Sequence, residues 1–254
     1  MPHPLSTIRL IGLILNVVGL TIWLPLVLLL IARLLRGEWR RYALVFVYVI
    51  ADFLVAAMEA PSVIQTYLKK QSVEALEERA LLWAKVEIVL QILIFAVVLS
   101  LIFRAAAKLK SRKLLLVACI AGGALFVAVT FWIHYQPVGK VLLWLTPWTR
   151  DLNVCTTILD LGLWTLLLVQ REKDQKLFLM SGALGIQFTG EALGNSVRDL
   201  AIAHRIGWLS LTGGAMVQAA GIIRIYMWAR AFKESRTAKA VSPQSGRLAI
   251  DPPK

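Results

Sequence analysis

Apolar residues in this chain fall into seven long blocks, and the stretches between them hold most of the charge. A hydrocarbon core of about 30 Å is crossed by roughly 20 helical residues, so each block is long enough to span a bilayer. The blocks predict helices over about 8–34, 42–66, 80–103, 114–135, 147–169, 176–197 and 206–231. The expected fold is an all-α integral membrane protein, a seven transmembrane helix bundle over residues 1–234. The polar stretch 235–254, rich in Pro, Ser and Lys, reads as a disordered cytoplasmic tail.

Prolines punctuate the pattern. Span 2 carries Glu59-Ala60-Pro61, where the missing backbone donor should kink or stop the helix. The amphipathic TYLKKQSVEALEERALLW after it reads as an outer loop with a helical run into span 3. Thr146-Pro147 reads as the N-cap and first residue of span 5, with the apolar VGKVLLWLTPW lying at the outer interface. The stretches beginning LLWAKVEIVLQ and IGWLSLTGGAMVQ share Trp, a central Gln and a closing basic run. They hint at a three-plus-one-plus-three parallel repeat.

Lysine and arginine set the orientation. Eighteen lie in the loops after spans 1, 3 and 5 and in the tail, nine lie on the other side, and Arg224 falls inside span 7. The positive-inside rule then places the N-terminus outside and the C-terminus in the cytoplasm.

Polar residues inside the spans are not scattered. Gln187, Glu191 and Asn195 recur at i, i+4 spacing in SGALGIQFTGEALGNSVRD, so they share one helix face. Gly182 and Gly185 lie away from that face and can let another helix approach. Asp52 and Glu59 share a face of span 2, Glu87 and Gln91 a face of span 3. Asn153, Thr157, Asp160 and Trp164 form one stripe on span 5. A rise of about 1.5 Å per residue puts these groups between the mid-plane and the outer surface. Four helices thus supply polar groups to one zone, as a cavity open to the outside would need. The candidate ligand-binding residues are Asp52, Glu59, Glu87, Gln91, Asn153, Asp160, Gln187, Glu191 and Asn195.

Plainer readings stand beside this one. Glu59 can snorkel beside Pro61, and Glu87 can sit at the water interface. Gln91, Asn153, Thr157 and Gln218 can be interhelical hydrogen-bond glue. Asp52, Asp160 and Glu191 are too deep to snorkel, so each must be protonated, paired or hydrated. Arg224 is expected to snorkel inward beside Trp228, the alternative being an ion pair with Asp160 or Asp52. His134 and His204 at outer ends, and His3 in the N-terminal tail, are expected to be solvated.

Composition narrows the class. The chain is 58% hydrophobic and 17% charged, with mean hydropathy +0.70, too apolar for a soluble domain. A net charge of +13 would fit nucleic acid, but the cations sit in short clusters between apolar blocks, so no nucleic-acid partner is expected. Cys119 and Cys155 read as packing residues rather than a disulfide or metal pair. Span 7 lacks the mid-helix lysine that a retinal Schiff base needs, and no HExxH, Gly-x-Ser-x-Gly or P-loop is present. No cofactor, metal or catalytic residue is assigned. The leading expectation is a small-molecule or ion transporter, or a ligand sensor, in a bacterial inner membrane. Its partners would be the lipid bilayer and a small molecule or cation. The alternative is a structural or accessory subunit whose polar residues pack helices together, with a partner protein or a second copy of the chain.

Overall fold

The computed structural model describes residues 4–68, 73–109, 111–135, 141–169, 174–204 and 206–241. Seven helices account for nearly all of them: α1 (Pro4–Arg33), α2 (Ala43–Leu68), α3 (Val73–Ala105), α4 (Arg112–His134), α5 (Val141–Val169), α6 (Gln175–His204) and α7 (Gly207–Val241). The described residues contain no strand. Among the described residues, four stretches are long and apolar enough to cross a membrane: Leu10–Glu38, Leu81–Ala105, Arg112–His134 and Pro147–Val169. Of α2, only the shorter Ala43–Met58 is comparably apolar. The helices that fall short, α2, α6 and α7, are those carrying Asp52, the Gln187–Glu191–Asn195 stripe and Arg224.

Two prolines behave differently from expectation. The spacing predicts an end or kink at Pro61, yet α2 continues through it to Leu68. Ala57, whose carbonyl loses its donor there, and Pro61 both lie on the exposed side of α2, so no buried acceptor is orphaned. Thr146-Pro147 does not begin α5. The helix starts at Val141 and runs through Pro147, forgoing the bond that residue would give Leu143. Of the stretch read as interfacial, residues 141–148 form the first turns of α5, and residues 138–140 lie outside the described residues. At the other end of the chain, α7 continues to Val241, past the Ser235 at which the sequence loses its apolar pattern.

Packing closes α1, α2, α3, α5, α6 and α7 into a ring in that order, α7 returning to α1. Helix α4 lies outside the ring against α3 and α5. The core lies inside the ring, with Leu30, Val49, Val98, Leu163, Leu184 and Trp228 fully buried. Outward faces carry exposed Ile14, Val117, Leu125, Ile158 and Leu161. Apolar surface on that scale is what lipid contact requires and soluble monomers avoid.

The closest seam joins α6 to α7. A Cβ added to Gly194 would stand 2.6 Å from the Gly213 carbonyl oxygen, and Gly190 faces Ala220 just as tightly. The sequence Gly190-Glu-Ala-Leu-Gly194 thus places two missing side chains one turn apart, which lets the backbones touch. Gly182 and Gly185, expected to let another helix approach, lie beside Trp164 and Asp160 of α5, and Gly182 also beside Met227 of α7.

One end of the ring is closed by polar and aromatic contacts. The α1–α2 connection turns at Gly37, whose φ of 130° suits a residue without Cβ. Glu38 in that turn pairs with Lys176 of α6 at 3.2 Å. Tyr42 meets Phe232 edge-on at 5.3 Å, and Arg33 donates to the Ala229 carbonyl.

Candidate functional site

Three polar groupings line the interior, each joining different helices. The first centres on Arg224 of α7, which is only 3% exposed. Its Nη2 donates to Asp52 Oδ2 at 2.6 Å and its Nη1 donates to the Tyr48 hydroxyl, both on α2. The guanidinium also lies over the Tyr48 and Trp228 rings, 5.0 and 5.5 Å from their centroids. Trp228 is fixed in turn by its indole N–H, which donates to the Met180 carbonyl at 3.1 Å. Arg224 does not snorkel. Its side chain is buried and turns toward Asp52, which spares it the high cost of a buried cation with no partner.

The second grouping is Asp160 on α5 and Ser181 on α6, both buried, with Ser181 Oγ donating to Asp160 Oδ1 at 2.7 Å. Gly185, one turn from Ser181, faces the same carboxylate: a Cβ there would stand in ordinary contact, 3.6 Å from Asp160 Oδ2.

The third grouping centres on Glu191. Asn153 Nδ2 of α5 donates to Glu191 Oε2 at 3.1 Å, and Gln187 Nε2 donates to Glu191 Oε1 at 2.6 Å. The spacing of four between Gln187 and Glu191 makes the second bond a same-face contact of one helix. Gln187 is buried and Glu191 half-buried. Glu191 is within electrostatic reach of Arg224 and Tyr48, and also of Glu87 on α3. Arg198 of α6 acts in turn on Glu87.

Among the remaining expected residues, Glu87 and Asn195 are exposed. Gln91 is half-buried, and its Nε2 is buried with no hydrogen-bond partner among the described residues. The Glu59 side chain and His3 lie outside the described residues. Thr157 does not join the stripe across helices, because its hydroxyl donates back to the Asn153 carbonyl of its own helix at 2.8 Å. Gln218, expected as hydrogen-bond glue, packs its side chain where a Cβ on Gly19 would be, which places it in the α1–α7 contact. His134, expected to be solvated alone, pairs with Asp151 at 2.9 Å across α4 and α5. A groove of about 250 Å³ between α2 and α3, lined by Ala51, Val55, Lys85, Val86, Val89 and Leu90, is apolar but for Lys85 and touches none of the three groupings.

Four participants escaped the sequence reading. Tyr48 lies one turn before Asp52, so the i, i+4 rule could have found it. Ser181 lies within the stretch singled out but carries no charge to draw notice. Asp151 lies off the span 5 stripe, and its pairing depends on how α4 leans on α5. Gly194 continues the small-residue pattern of α6 one turn beyond Gly190. Compared with known proteins, the chain matches no family model, no curated protein and no solved structure.

Proposed function

We propose that all seven helices cross a membrane, with the N-terminus outside, and that a polar site at Glu191 opens outward to admit a small solute or ion. The protein would act as a transporter or a ligand sensor, in a bacterial inner membrane. Support for the orientation is the distribution of lysine and arginine. It makes the end closed by Lys176–Glu38 and Tyr42–Phe232 the cytoplasmic one. The observation that carries the function is the half-buried Glu191, held by amides from two helices, with Glu87 and Asn195 exposed toward the opposite end. A carboxylate placed this way is costly in a membrane, which makes it a candidate functional group. In this reading Gln91, Gln187 and Asn195 orient the solute, and Asp160 carries charge or a proton deeper in the bundle. The test is reconstitution of Glu191→Gln and Asp160→Asn into liposomes. Both should lose proton-coupled uptake or ligand binding across a metabolite panel, and unchanged behaviour in both variants sinks the proposal.

A second reading has its own support. Asp52–Arg224 and Asp160–Ser181 are direct pairs across helices, as an accessory subunit with purely structural polar contacts would have. A partner protein or second copy of the chain would then be found by cross-linking in native membranes.

A further inference from the structure

The groove between α2 and α3 exists because the side chains along that seam are short. Ala51 and Val55 lie one turn apart on α2, and Val86 and Val89 wall the α3 side with Leu90 beside them. They leave a space of about 250 Å³. Consecutive helices that pack together across so short a link run in opposite directions. Lys85 and Val55 therefore mark one end of the groove, and Ala51, Val89 and Leu90 the other, one turn deeper. Val89 is 56% exposed, so the groove is open rather than sealed. An apolar lining gives water nothing to bind, and at about 30 Å³ per water-sized group the space holds roughly eight methylenes.

Lys85 supplies a polar end. The lining is almost wholly apolar, so the lysine stem walls the groove and the ammonium stands at its rim. Lys85 is exposed and has no ion-pair partner among the described residues. No carboxylate lies three or four residues from it on α3, and Glu87, two residues on, points to another face. Lys85 stands just inside the apolar stretch that begins at Leu81, and Trp83, 44% exposed, precedes it by two residues. Tryptophan and lysine at one level mark the border between acyl chains and headgroups. An apolar furrow below that border, with an unpaired cation at it, is complementary to an amphiphile with a negative head.

We infer that the α2–α3 groove holds one acyl chain of an anionic phospholipid, with Lys85 on its phosphate headgroup. A bilayer presents this occupant at that level at all times. The inference rests on the membrane placement proposed above and is independent of the solute site at Glu191.

The experiment places the full chain in phosphatidylcholine nanodiscs containing a trace of phosphatidylglycerol with a photoreactive diazirine on one acyl chain. Illumination and peptide mass spectrometry should find adducts on Ala51, Val55, Val86 and Val89. They should be about fivefold more abundant than with a phosphatidylcholine probe carrying the same diazirine, the effect of one lysine near a membrane surface. Lys85→Gln should abolish that preference, and Lys85→Arg should keep it. Val89→Phe fills the groove from an exposed position and should cut labelling of Ala51 and Val55 by both probes about tenfold. Equal labelling by the two probes overturns the inference, as does a preference that Lys85→Gln leaves intact. Displacement of the probe by oleate at a lower mole fraction than by phosphatidylglycerol overturns it too, since a free fatty acid is then the occupant. A chain that does not enter nanodiscs overturns the membrane placement and this site with it. One that enters but gains no adducts at the groove overturns this inference and leaves the placement standing.

Discussion

Asp52 and Glu191 are carboxylates of the same helical ring, and they are satisfied in opposite ways. Asp52 has a full counter-charge at 2.6 Å, a tyrosine hydroxyl beside it and aromatic rings around its partner. Glu191 has two neutral amides, partial exposure and no cation in direct contact among the described residues. Arg224 lies within electrostatic reach of both carboxylates, yet hydrogen-bonds to Asp52. The difference assigns different work. Burial among Tyr48, Trp228 and Met180 makes the Asp52 pair a joint between α2 and α7. The amide cradle at Glu191 joins α5 to α6 through neutral hydrogen bonds and leaves the carboxylate half-buried.

The strongest way to break this comparison is Arg224→Ala. It strands Asp52 without a counter-charge, and loss of one partner of a buried pair costs about 3–5 kcal/mol. The unfolding midpoint of the purified protein should fall sharply, and the double variant Asp52→Leu, Arg224→Met should regain most of the loss. Glu191→Gln should leave the midpoint near that of the native protein, because a glutamine can still accept from one amide. Equal losses in the two single variants would mean that both carboxylates are structural.

A second test acts on the seam that the two regions share, since Glu191 lies on α6 and Arg224 on α7. Gly194→Ala would put a methyl 2.6 Å from both the Gly213 carbonyl oxygen and Val217 Cγ2. Overpacking of this kind costs about 1–3 kcal/mol, and thermal unfolding should show it. Gly162→Ala on α5, with nothing within 4 Å of its would-be Cβ, is the counterpart. It should stabilise by about 0.5–1 kcal/mol through helix propensity alone. A Gly194→Ala protein as stable as the Gly162→Ala protein would show that α6 and α7 are free to separate.

How much of this was legible depended on whether local spacing carried it. Helix number and approximate extent follow from apolar block length, which is a local property. The Gln187–Glu191 contact follows from i, i+4 spacing within α6. Asp52 and Arg224 both fall inside predicted spans, but choosing between a pair and an inward-reaching arginine needed to know that α2 and α7 both bound the same interior. Pro61 and Pro147 misled because a helix tolerates one missing bond when the orphaned carbonyl is near an end or on an exposed side. The Asn153–Glu191 and His134–Asp151 contacts join separate helices and depend on rotation about each helix axis, which no spacing rule states.

His134–Asp151 sharpens the comparison from its weak end. It too sets a carboxylate against a nitrogen of a neighbouring helix, here an imidazole at 2.9 Å, but its side chains are 27% and 37% exposed. Water and salt reach it, and pairs so placed contribute about 0.2–1 kcal/mol. His134→Ala should therefore move the unfolding midpoint only slightly. The difference from the native protein should shrink further at 1 M salt, where the screening length falls to about 3 Å. Arg224→Ala, acting on a pair that salt does not reach, should lose as much at high salt as at low. A His134→Ala loss as large as that of Arg224→Ala, and equally indifferent to salt, would mean that the contact between α4 and α5 is shielded from water. The peripheral helix would then be as firmly fixed as the ring it leans on.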